Sequence, residues 1–294
     1  GWSNIGGAML GTNRDQPEDT ATIAKALVKY KLDGLVLIGG WESCKSVLTL
    51  HKAVKEHPEF SLPIVVVPAT ISNNCPATEL SLGADTCLNT IVECADRVKQ
   101  SAVSSRRRVF IMEVMGGKCG YLASLASLAG GGHICYIPEN PINLKILNYD
   151  LDKLRSRFKT CRTTSLVIYG EGTNPTYNTD LLYEIFGEEG KGSFEVRKLI
   201  LGHIQQGNSP SPRDRILGAE FGVSAVNLLL NALTEKTANF HGIVGSLKGG
   251  YAFTSIEDAL PNMDMANRRP KVQLWWDDVN TVIQSMSHAE ISYT

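Results

Sequence analysis

Several features that would assign this chain to a functional class are missing from its sequence. Its 29 lysines and arginines nearly balance its 30 aspartates and glutamates, so the net charge of −1 gives no bulk attraction to nucleic acid or to an anionic membrane. No apolar run approaches the roughly 20 residues that a membrane-spanning helix needs, and the N-terminus shows no secretory signal. We therefore expect a cytoplasmic protein that binds neither nucleic acid nor membrane.

The seven cysteines form no C-x-x-C pair, and no internal repeat or low-complexity tract is present. The cysteines lie at scattered positions: Cys44, Cys75, Cys87, Cys94, Cys119, Cys135 and Cys161. An odd number of unpaired positions favours free thiols in a reducing compartment over disulfides or a zinc site.

A carboxylate is also absent from the place where an α/β protein would use one. The apolar segment Ile64–Val67 is followed by Thr70, Ser72, Asn73 and Asn74. These side chains form hydrogen bonds, but none acts as a base at neutral pH or holds magnesium as a carboxylate does. Open α/β sheets bind ligands at the carboxyl ends of their strands. The sequence therefore predicts a polar pocket that holds a ligand without reacting with it.

Hydrophobic spacing predicts alternating helices and strands. The predicted helices span 18–31, 42–56, 85–103, 119–129, 150–159, 213–234 and 275–287, and the predicted strands span 34–38, 64–67, 108–114, 134–137 and 165–169. This alternation favours an α/β fold with a mostly parallel, doubly wound sheet and helices on both faces. Pro138 and Pro141 place a lobe boundary near 139–145. We expect a larger lobe over 1–140 and a second lobe over 141–294, with a C-terminal helical segment that returns to the first lobe.

Three polar clusters are further candidates for ligand contacts. Gly116 and Gly117 follow Met115 between a predicted strand and a predicted helix, where backbone N–H groups can face an anion; a tight turn is an equally good reading. Glu171 follows a predicted strand and suits sugar hydroxyls, with a surface turn as its alternative. His203 lies in a segment rich in polar and turn-forming residues and could face a phosphate.

Several arginines are noted by position. Arg106, Arg107 and Arg108 form a basic triplet, which is usually a solvated face, and Arg108 at the start of a strand is the one that we expect the structure to position. Arg197 lies six residues before His203, and Arg14 and Arg268 are each surface arginines by default.

Taken together, these segments resemble the ATP-dependent 6-phosphofructokinase family. The shared motifs, in the family's order, are GGxxLGTxR from Gly6, a Gly-Gly pair after a strand, PxTIxNx from Pro68, MGGxCGYLA from Met115 and LGHIQQGxSPxxxDR from Leu201. The resemblance runs from Gly6 to about Trp276. It implies a two-lobed phosphofructokinase-like fold and a glycolytic phosphotransferase that uses magnesium and ATP.

The chain departs from the family's catalytic pattern at four places. Catalytic halves carry an aspartate after the Gly-Gly pair, where this chain has Trp41. They carry aspartates in TIDND where this chain has Ser72 and Asn74, and arginines where it has Gly117 and Gln206. The resemblance is therefore to the C-terminal, regulatory half of the duplicated eukaryotic enzymes, with no catalytic residue, no metal site and no cofactor of its own. Magnesium and ATP belong to the catalytic half.

The resemblance also implies an effector pocket for fructose 2,6-bisphosphate. Its implied contacts are Arg14, Thr70, Ser72, Asn73, Asn74, Arg108, Met115, Gly116, Gly117, Glu171, Arg197, His203, Gln206 and Arg268. In family members, Arg108 and Arg197 are of the type that reach in from a neighbouring subunit. The expected partners are thus the effector, an N-terminal catalytic half and the other subunits of a homo- or hetero-oligomer, a tetramer or larger.

The family's halves begin with a strand and a glycine-rich turn upstream of Gly6, so we expect the first strand and helix of the sheet to be missing from this chain.

Three readings of function remain open at this point. The favoured reading is an effector-binding half. The alternatives are an active kinase half that uses a displaced carboxylate such as Glu42, and a structural half with a vestigial pocket.

Overall fold

The structure, a computed structural model, describes residues 2–105, 107–160, 164–272, 275, 276, 278, 279 and 281–283. The strands are β1 (Leu35–Gly39), β2 (Ile64–Pro68), β3 (Arg108–Val114), β4 (Ile134–Tyr136), β5 (Ser165–Gly170), β6 (Glu195–Ile200), β7 (His241–Leu247), β8 (Gly250–Ser255), β9 (Met263–Asp264) and β10 (Arg269–Pro270). The α-helices are α1 (Thr20–Tyr30), α2 (Trp41–Ala53), α3 (Ala84–Ser105), α4 (Tyr121–Gly130), α5 (Leu144–Thr160), α6 (Thr179–Glu189), α7 (Pro212–Glu235) and α8 (Ile256–Ala259). Short 3₁₀ helices cover Trp2–Asn4, Pro58–Ser61, Gly202–Gln205 and Leu260–Asn262.

The chain divides into two compact units, each built around one sheet. Unit 1 comprises residues 1–86 and 209–272, and unit 2 comprises residues 87–208 and 273–294. The strand order is β1-β2-β7-β8 in unit 1 and β4-β5-β3-β6 in unit 2. Only β8 runs antiparallel to its neighbour in these two sheets, so the predicted mostly parallel α/β fold is confirmed.

The two units differ from the predicted lobes 1–140 and 141–294. Strand β3 pairs with β5 and β6, which places 108–114 in the second sheet, whereas β7 pairs with β2 across a long stretch of chain. The positions of prolines contain no information about which strands pair, so they could not predict this division. The segment that rejoins unit 1 is residues 209–272, with strands as well as helices, whereas residues 273–294 belong to unit 2.

The sheet of unit 1 is covered on both faces. One face packs with Trp41, Val47 and Leu48 of α2, and the other packs with Leu217 and Phe221 of α7. Every residue of β2 is buried, as expected for a central strand of a parallel sheet. This packing holds the carboxyl ends of β1 and β2 side by side, where the polar loop 69–83 begins.

Helix α7 bears on the expectation that no segment of the sequence is long and apolar enough to cross a membrane. It is the one helix in the described part of the chain with the length and composition to cross a membrane, with a mean hydropathy of 1.6 over 18 residues. Core helices of globular proteins pass the same test, and Leu217, Phe221 and Ala225 of α7 pack against Val65 and Val67.

The remaining predictions from the sequence have mixed outcomes. The predicted helices from 18–31 through 213–234 and all five predicted strands are present. Helix α5 begins at Leu144, earlier than the predicted start at residue 150. Helix α6 and strands β6, β7 and β8 were not predicted. The predicted helix 275–287, Arg106 and Cys161 lie wholly or largely outside the described residues. Six cysteines are free thiols, as predicted.

His133, just before β4 in unit 2, makes stability depend on pH. Its Nδ1 accepts a hydrogen bond from the Leu166 N–H (3.3 Å). Burial lowers its pKa from 6.5 to about 4, and the positive charges of Arg157 and Lys99 add to this effect. The unfolded chain therefore binds more protons than the folded protein between these two values, and the free energy of unfolding should fall as pH drops through this window.

We expect the loss to reach at most about 3 kcal/mol, since each pKa unit corresponds to about 1.4 kcal/mol. Denaturant unfolding at pH 7, 5.5 and 4.5 would measure it. His133→Asn keeps an acceptor for Leu166 but removes the titrating group, so it should flatten this pH dependence. An equally steep fall in the variant would exclude His133 as its source.

Candidate functional site

The polar loop of unit 1 starts where β2 ends, beside the end of β1. The N–H of Ala69 donates to the carbonyl of Gly39 (2.9 Å). A Cβ atom on Gly40 would lie 2.9 Å from the Cβ of Thr70, so glycine is what allows this close approach. Thr70 Oγ1 in turn accepts a hydrogen bond from the N–H of Ser72 (3.2 Å). The hydroxyl of Thr70 is therefore held at the carboxyl end of the sheet by the backbone of Ser72.

Asn73 fixes the shape of this loop. Its Oδ1 accepts from the N–H (2.7 Å) and the hydroxyl (2.9 Å) of Ser81, and its Nδ2 donates to the carbonyl of Glu79 (2.9 Å). It is buried and has a left-handed backbone with φ of 49°, a conformation that asparagine tolerates. The Asn73 side chain, which was predicted to contact a ligand, thus makes its hydrogen bonds within the loop.

Asn74 links the loop to the C-terminal hairpin of unit 1. Its Nδ2 donates to the backbone carbonyl of Arg268 (2.8 Å). Its Oδ1 is buried and has no hydrogen-bond partner among the described residues. The guanidinium of Arg268 donates to a carboxylate oxygen of Glu42, in the first turn of α2. The structure therefore links Asn74, Arg268 and Glu42 in unit 1, and Thr70 lies in the same loop as Asn74.

Glu42 was considered from the sequence as a displaced catalytic carboxylate. Its second oxygen accepts from Nε2 of Gln16 (3.0 Å), so both oxygens have partners. Gln16 lies in the segment before α1, two residues after Arg14, which is exposed. No local sequence pattern indicates the contact between Glu42 and Arg268, because 226 residues separate the two.

Unit 2 carries the second group of predicted residues. The N–H groups of Gly116 and Gly117, which follow β3, donate to Oε2 of Glu171, which follows β5 (3.4 and 3.3 Å). Met115 N–H donates to Oε1 of Gln205 (2.8 Å). The predicted backbone donors and the predicted acceptor Glu171 thus contact one another. Gln205 is a residue that the sequence analysis missed.

Gln205 and Gln206 have opposite environments. Gln205 is buried and its Nε2 contacts Sγ of Cys87 (3.3 Å), whereas Gln206 is exposed. His203, in the same 3₁₀ helix, is also exposed. Two adjacent glutamines on a tight turn point in different directions, so only Gln206 remains a candidate for ligand contact.

Arg108 and Arg197 share one carboxylate. Both donate to Oε2 of Glu195 at 3.3 Å. Glu195 opens β6, the edge strand, and pairs in register with Arg108, while Arg197 pairs with Phe110. With about 3.3 Å per residue along a strand, Arg108 lies roughly 20 Å and Arg197, level with Phe110, roughly 13 Å from the end of β3. Neither side chain reaches the Gly116–Gly117 turn of its own chain.

Comparison with known proteins identifies the family. The profile of the family described as Phosphofructokinase matches residues 1–229. The chain belongs to the phosphofructokinase family. The muscle-type ATP-dependent 6-phosphofructokinase of Sus scrofa is 38% identical over 301 residues, covering 99% of this chain and 38% of the relative. The ATP-dependent 6-phosphofructokinase of Aspergillus fumigatus is 43% identical over 297 residues, covering 96% and 37%.

The fold comparison agrees with this assignment. The structure of phosphofructokinase from Saccharomyces cerevisiae matches with a TM-score of 0.93 and 36% identity, over 98% of this chain and 39% of that one. The chain is thus a homologue of eukaryotic ATP-dependent 6-phosphofructokinases that spans well under half of their length. The motifs predicted from the sequence to be phosphofructokinase-like are confirmed at the level of family and fold.

Proposed function

We propose that this chain is the regulatory, non-catalytic half of an ATP-dependent 6-phosphofructokinase and that it binds the effector fructose 2,6-bisphosphate. In this proposal the catalytic half of the same cytoplasmic enzyme transfers a phosphoryl group from ATP to fructose 6-phosphate in glycolysis. The observation that carries the proposal is the cluster at the carboxyl end of the unit 1 sheet. There, the side chain of Asn74 donates to the backbone carbonyl of Arg268, and in the same loop Thr70 Oγ1 accepts from the N–H of Ser72.

This cluster suits binding better than phosphoryl transfer. A general base must lie within hydrogen-bond reach of the proton that it removes. Ser72 and Asn74 stand where catalytic halves of the family carry aspartates, and neither is a base. Glu42 is held in place by Arg268 on one oxygen and by Gln16 on the other. We therefore do not propose an active site that relies on Glu42.

The same residues fit magnesium poorly. Mg²⁺ binds through carboxylates and phosphates and requires nearly ideal octahedral geometry. The loop from Thr70 to Asn74 offers hydroxyl and amide groups, and several of them are already engaged within the protein. We propose that magnesium and ATP act in the catalytic half and not at this loop.

Binding across subunits forms part of the proposal. Arg108 and Arg197 lie along their strands away from the Gly116–Gly117 turn, and both pair with Glu195. The Arg197 side chain is 49% exposed and the Arg108 side chain 20%, so Arg197 is the one we propose to contact a ligand held by a neighbouring subunit. A ligand with two phosphates that is held by arginines from two subunits favours the assembly that brings them together. This coupling gives the oligomer, a tetramer or larger, a route to allosteric control.

Calorimetric titration of the full-length enzyme with fructose 2,6-bisphosphate tests the effector role. Arg268→Ala and, separately, Arg197→Ala should each weaken binding by roughly 10- to 100-fold, because a hydrogen bond to a charged group contributes about 1.5–3 kcal/mol. Arg97→Ala is a matched control, since Arg97 is an exposed arginine on α3 that pairs with Glu93 one turn away. Unchanged affinity in both site variants would reject the effector pocket in favour of a vestigial one.

A second assay addresses the alternative of an active half. In the full-length enzyme with the base of the N-terminal half replaced, we expect negligible turnover of fructose 6-phosphate. Appreciable turnover that is lost with Glu42→Gln would overturn the non-catalytic assignment.

A further inference from the structure

Arg268 is presented by a rigid turn between β9 and β10. Its N–H donates to the carbonyl of Asp264 (2.8 Å), and Oδ1 of Asp264 accepts from the N–H groups of Ala266 (3.1 Å) and Asn267 (3.0 Å). The hydrogen bond from the Asn267 side chain lowers the pKa of Asp264, with the backbone bonds adding to it. Because Asn74 also holds the Arg268 carbonyl, the backbone is fixed while the side chain can still change its partner.

The present partner of that side chain is an anion. Glu42 accepts from Nη2 of Arg268, and its side chain is 29% exposed against 51% for Arg268. The pair therefore lies at the rim of the cluster, partly shielded from water and open on the side of the guanidinium. A ligand can reach Arg268 without first opening the fold.

A phosphate and Glu42 compete for the same guanidinium. A phosphate that contacts Nη2 of Arg268 comes close to the carboxylate already bound there, and two anions at short range repel each other strongly in a partly desolvated site. A phosphate monoester carries more negative charge than a carboxylate at neutral pH, so it can take over the arginine. The repulsion must still be relieved by separating Glu42 from Arg268.

The released carboxylate keeps other favourable contacts. Glu42 lies in the first turn of α2, where the partial positive charge of the helix N-terminus favours an anion. Gln16 donates to its second oxygen (3.0 Å) independently of Arg268. The side chain can thus leave the arginine without becoming an isolated charge.

We propose that Glu42 is an internal competitor that occupies Arg268 in the ligand-free state and that a phosphorylated ligand has to displace it. This inference rests on the effector role proposed above. Glu42 then sets the affinity of the site from within, and each binding event exchanges a carboxylate for a phosphate on Arg268.

The test compares Glu42→Gln with the wild type in the full-length enzyme, by calorimetric titration with fructose 2,6-bisphosphate. We expect roughly tenfold tighter binding in the variant, since the amide is isosteric but forms no ion pair with Arg268 that a phosphate has to displace. Glu56→Gln is the matched control because it removes an exposed negative charge just beyond the same helix, and it should change affinity less than about twofold. Glu42→Ala is a second variant should Glu42→Gln fold poorly.

A double mutant separates competition from general electrostatics. In an Arg268→Ala background, Glu42→Gln should lose its effect because no guanidinium is left to share. With Arg268 intact, unchanged or weaker binding by both Glu42 variants overturns the competitor role, and weaker binding would mean that Glu42 positions the arginine. Tighter binding that persists in the Arg268→Ala background also overturns it, because the effect would then be general electrostatics. Absence of binding by every form, wild type included, overturns the effector role itself, whereas binding by the Glu42 variants alone supports both.

Discussion

Replacing Gly245 by alanine should destabilise unit 1 by at least about 3 kcal/mol, in the upper range for overpacking of a core. A Cβ atom at this position in β7 would lie 1.8 Å from the carbonyl oxygen of Ala77 and 2.9 Å from its carbonyl carbon. Both are backbone atoms, so no side-chain rotation can relieve the clash. Either β7 or the loop that contains Ala77 has to move.

The same change should also impair the candidate site. Ser246 N–H donates to Oγ1 of Thr78 (3.1 Å), and Glu79 N–H donates to the carbonyl of Ser246 (2.8 Å), so the loop lies directly against β7. A displaced loop carries Thr70 to Asn74 with it. Weakened binding of fructose 2,6-bisphosphate should therefore accompany the loss of stability.

Gly222→Ala provides the control for Gly245→Ala. Gly222 lies inside α7, and a Cβ there would meet nothing within 4 Å. Alanine in a helix interior should stabilise the protein by about 0.5–1 kcal/mol relative to glycine. Chemical denaturation of the two variants measures both effects. A Gly245→Ala variant within about 1 kcal/mol of the wild type would show that the loop and β7 separate easily.

Asp214→Asn should cost roughly 3 kcal/mol of unfolding free energy, because hydrogen bonds to a buried charge are among the strongest in a protein. Asp214 is buried, and its two oxygens accept from the N–H groups of Gly83 and Thr86 (2.8 Å each) and from the Thr86 hydroxyl (2.5 Å). These N–H groups lie at the start of α3, where a negative charge is favourable. An asparagine side chain here would have to point its NH₂ group at the donors of Gly83 or Thr86, so at least one of these hydrogen bonds would be lost.

The link between α3 and α7 is reciprocal. Ser211, the N-cap of α7, donates to Asp85 (2.5 Å) and receives a hydrogen bond from Asp214 N–H (3.2 Å). Asp19→Asn is the matched control, since Asp19 is an exposed N-cap of α1 that bonds only within its own helix. Asparagine caps helices as well as aspartate does, so this control should change stability by less than about 0.5 kcal/mol. Equal effects of the two substitutions, measured by thermal or denaturant unfolding, would contradict the role given to Asp214.

The sequence predicted the buried strands well and the edge of the second sheet poorly. Strands β2 and β3 are mostly buried and therefore appear as apolar runs. Strand β6 is an edge strand in which only Val196 is fully buried, so its sequence, EVRKLI, shows no apolar run. Strand β7 is buried but contains Gly242 and Gly245, which lower its apparent strand propensity. Burial from both faces, rather than strand character itself, is what the pattern detects.

The ligand contacts implied by the family resemblance stay a prediction. The resemblance implied Thr70, Asn74 and Arg268, and the structure links Asn74 to the carbonyl of Arg268 and Thr70 to the N–H of Ser72, all in unit 1. The motifs did not separate a side chain that faces a ligand from one that holds the loop, which is the case for Asn73 and Gln205. The partner of Arg268 was also out of reach, because contacts between distant segments leave no local pattern.

The hydrogen bonds of the loop after β2 have an entropic consequence. Ordering a residue costs about 1–2 kcal/mol of backbone conformational free energy, and a binding loop that is disordered meets this cost when its ligand arrives. Here Asn73, Ser81, Thr78 and Ser246 already hold residues 70–81 in place, so the cost is met when the chain folds. A ligand at this face would bind a preorganised surface. Differences in affinity between ligands should therefore come from their charge and shape.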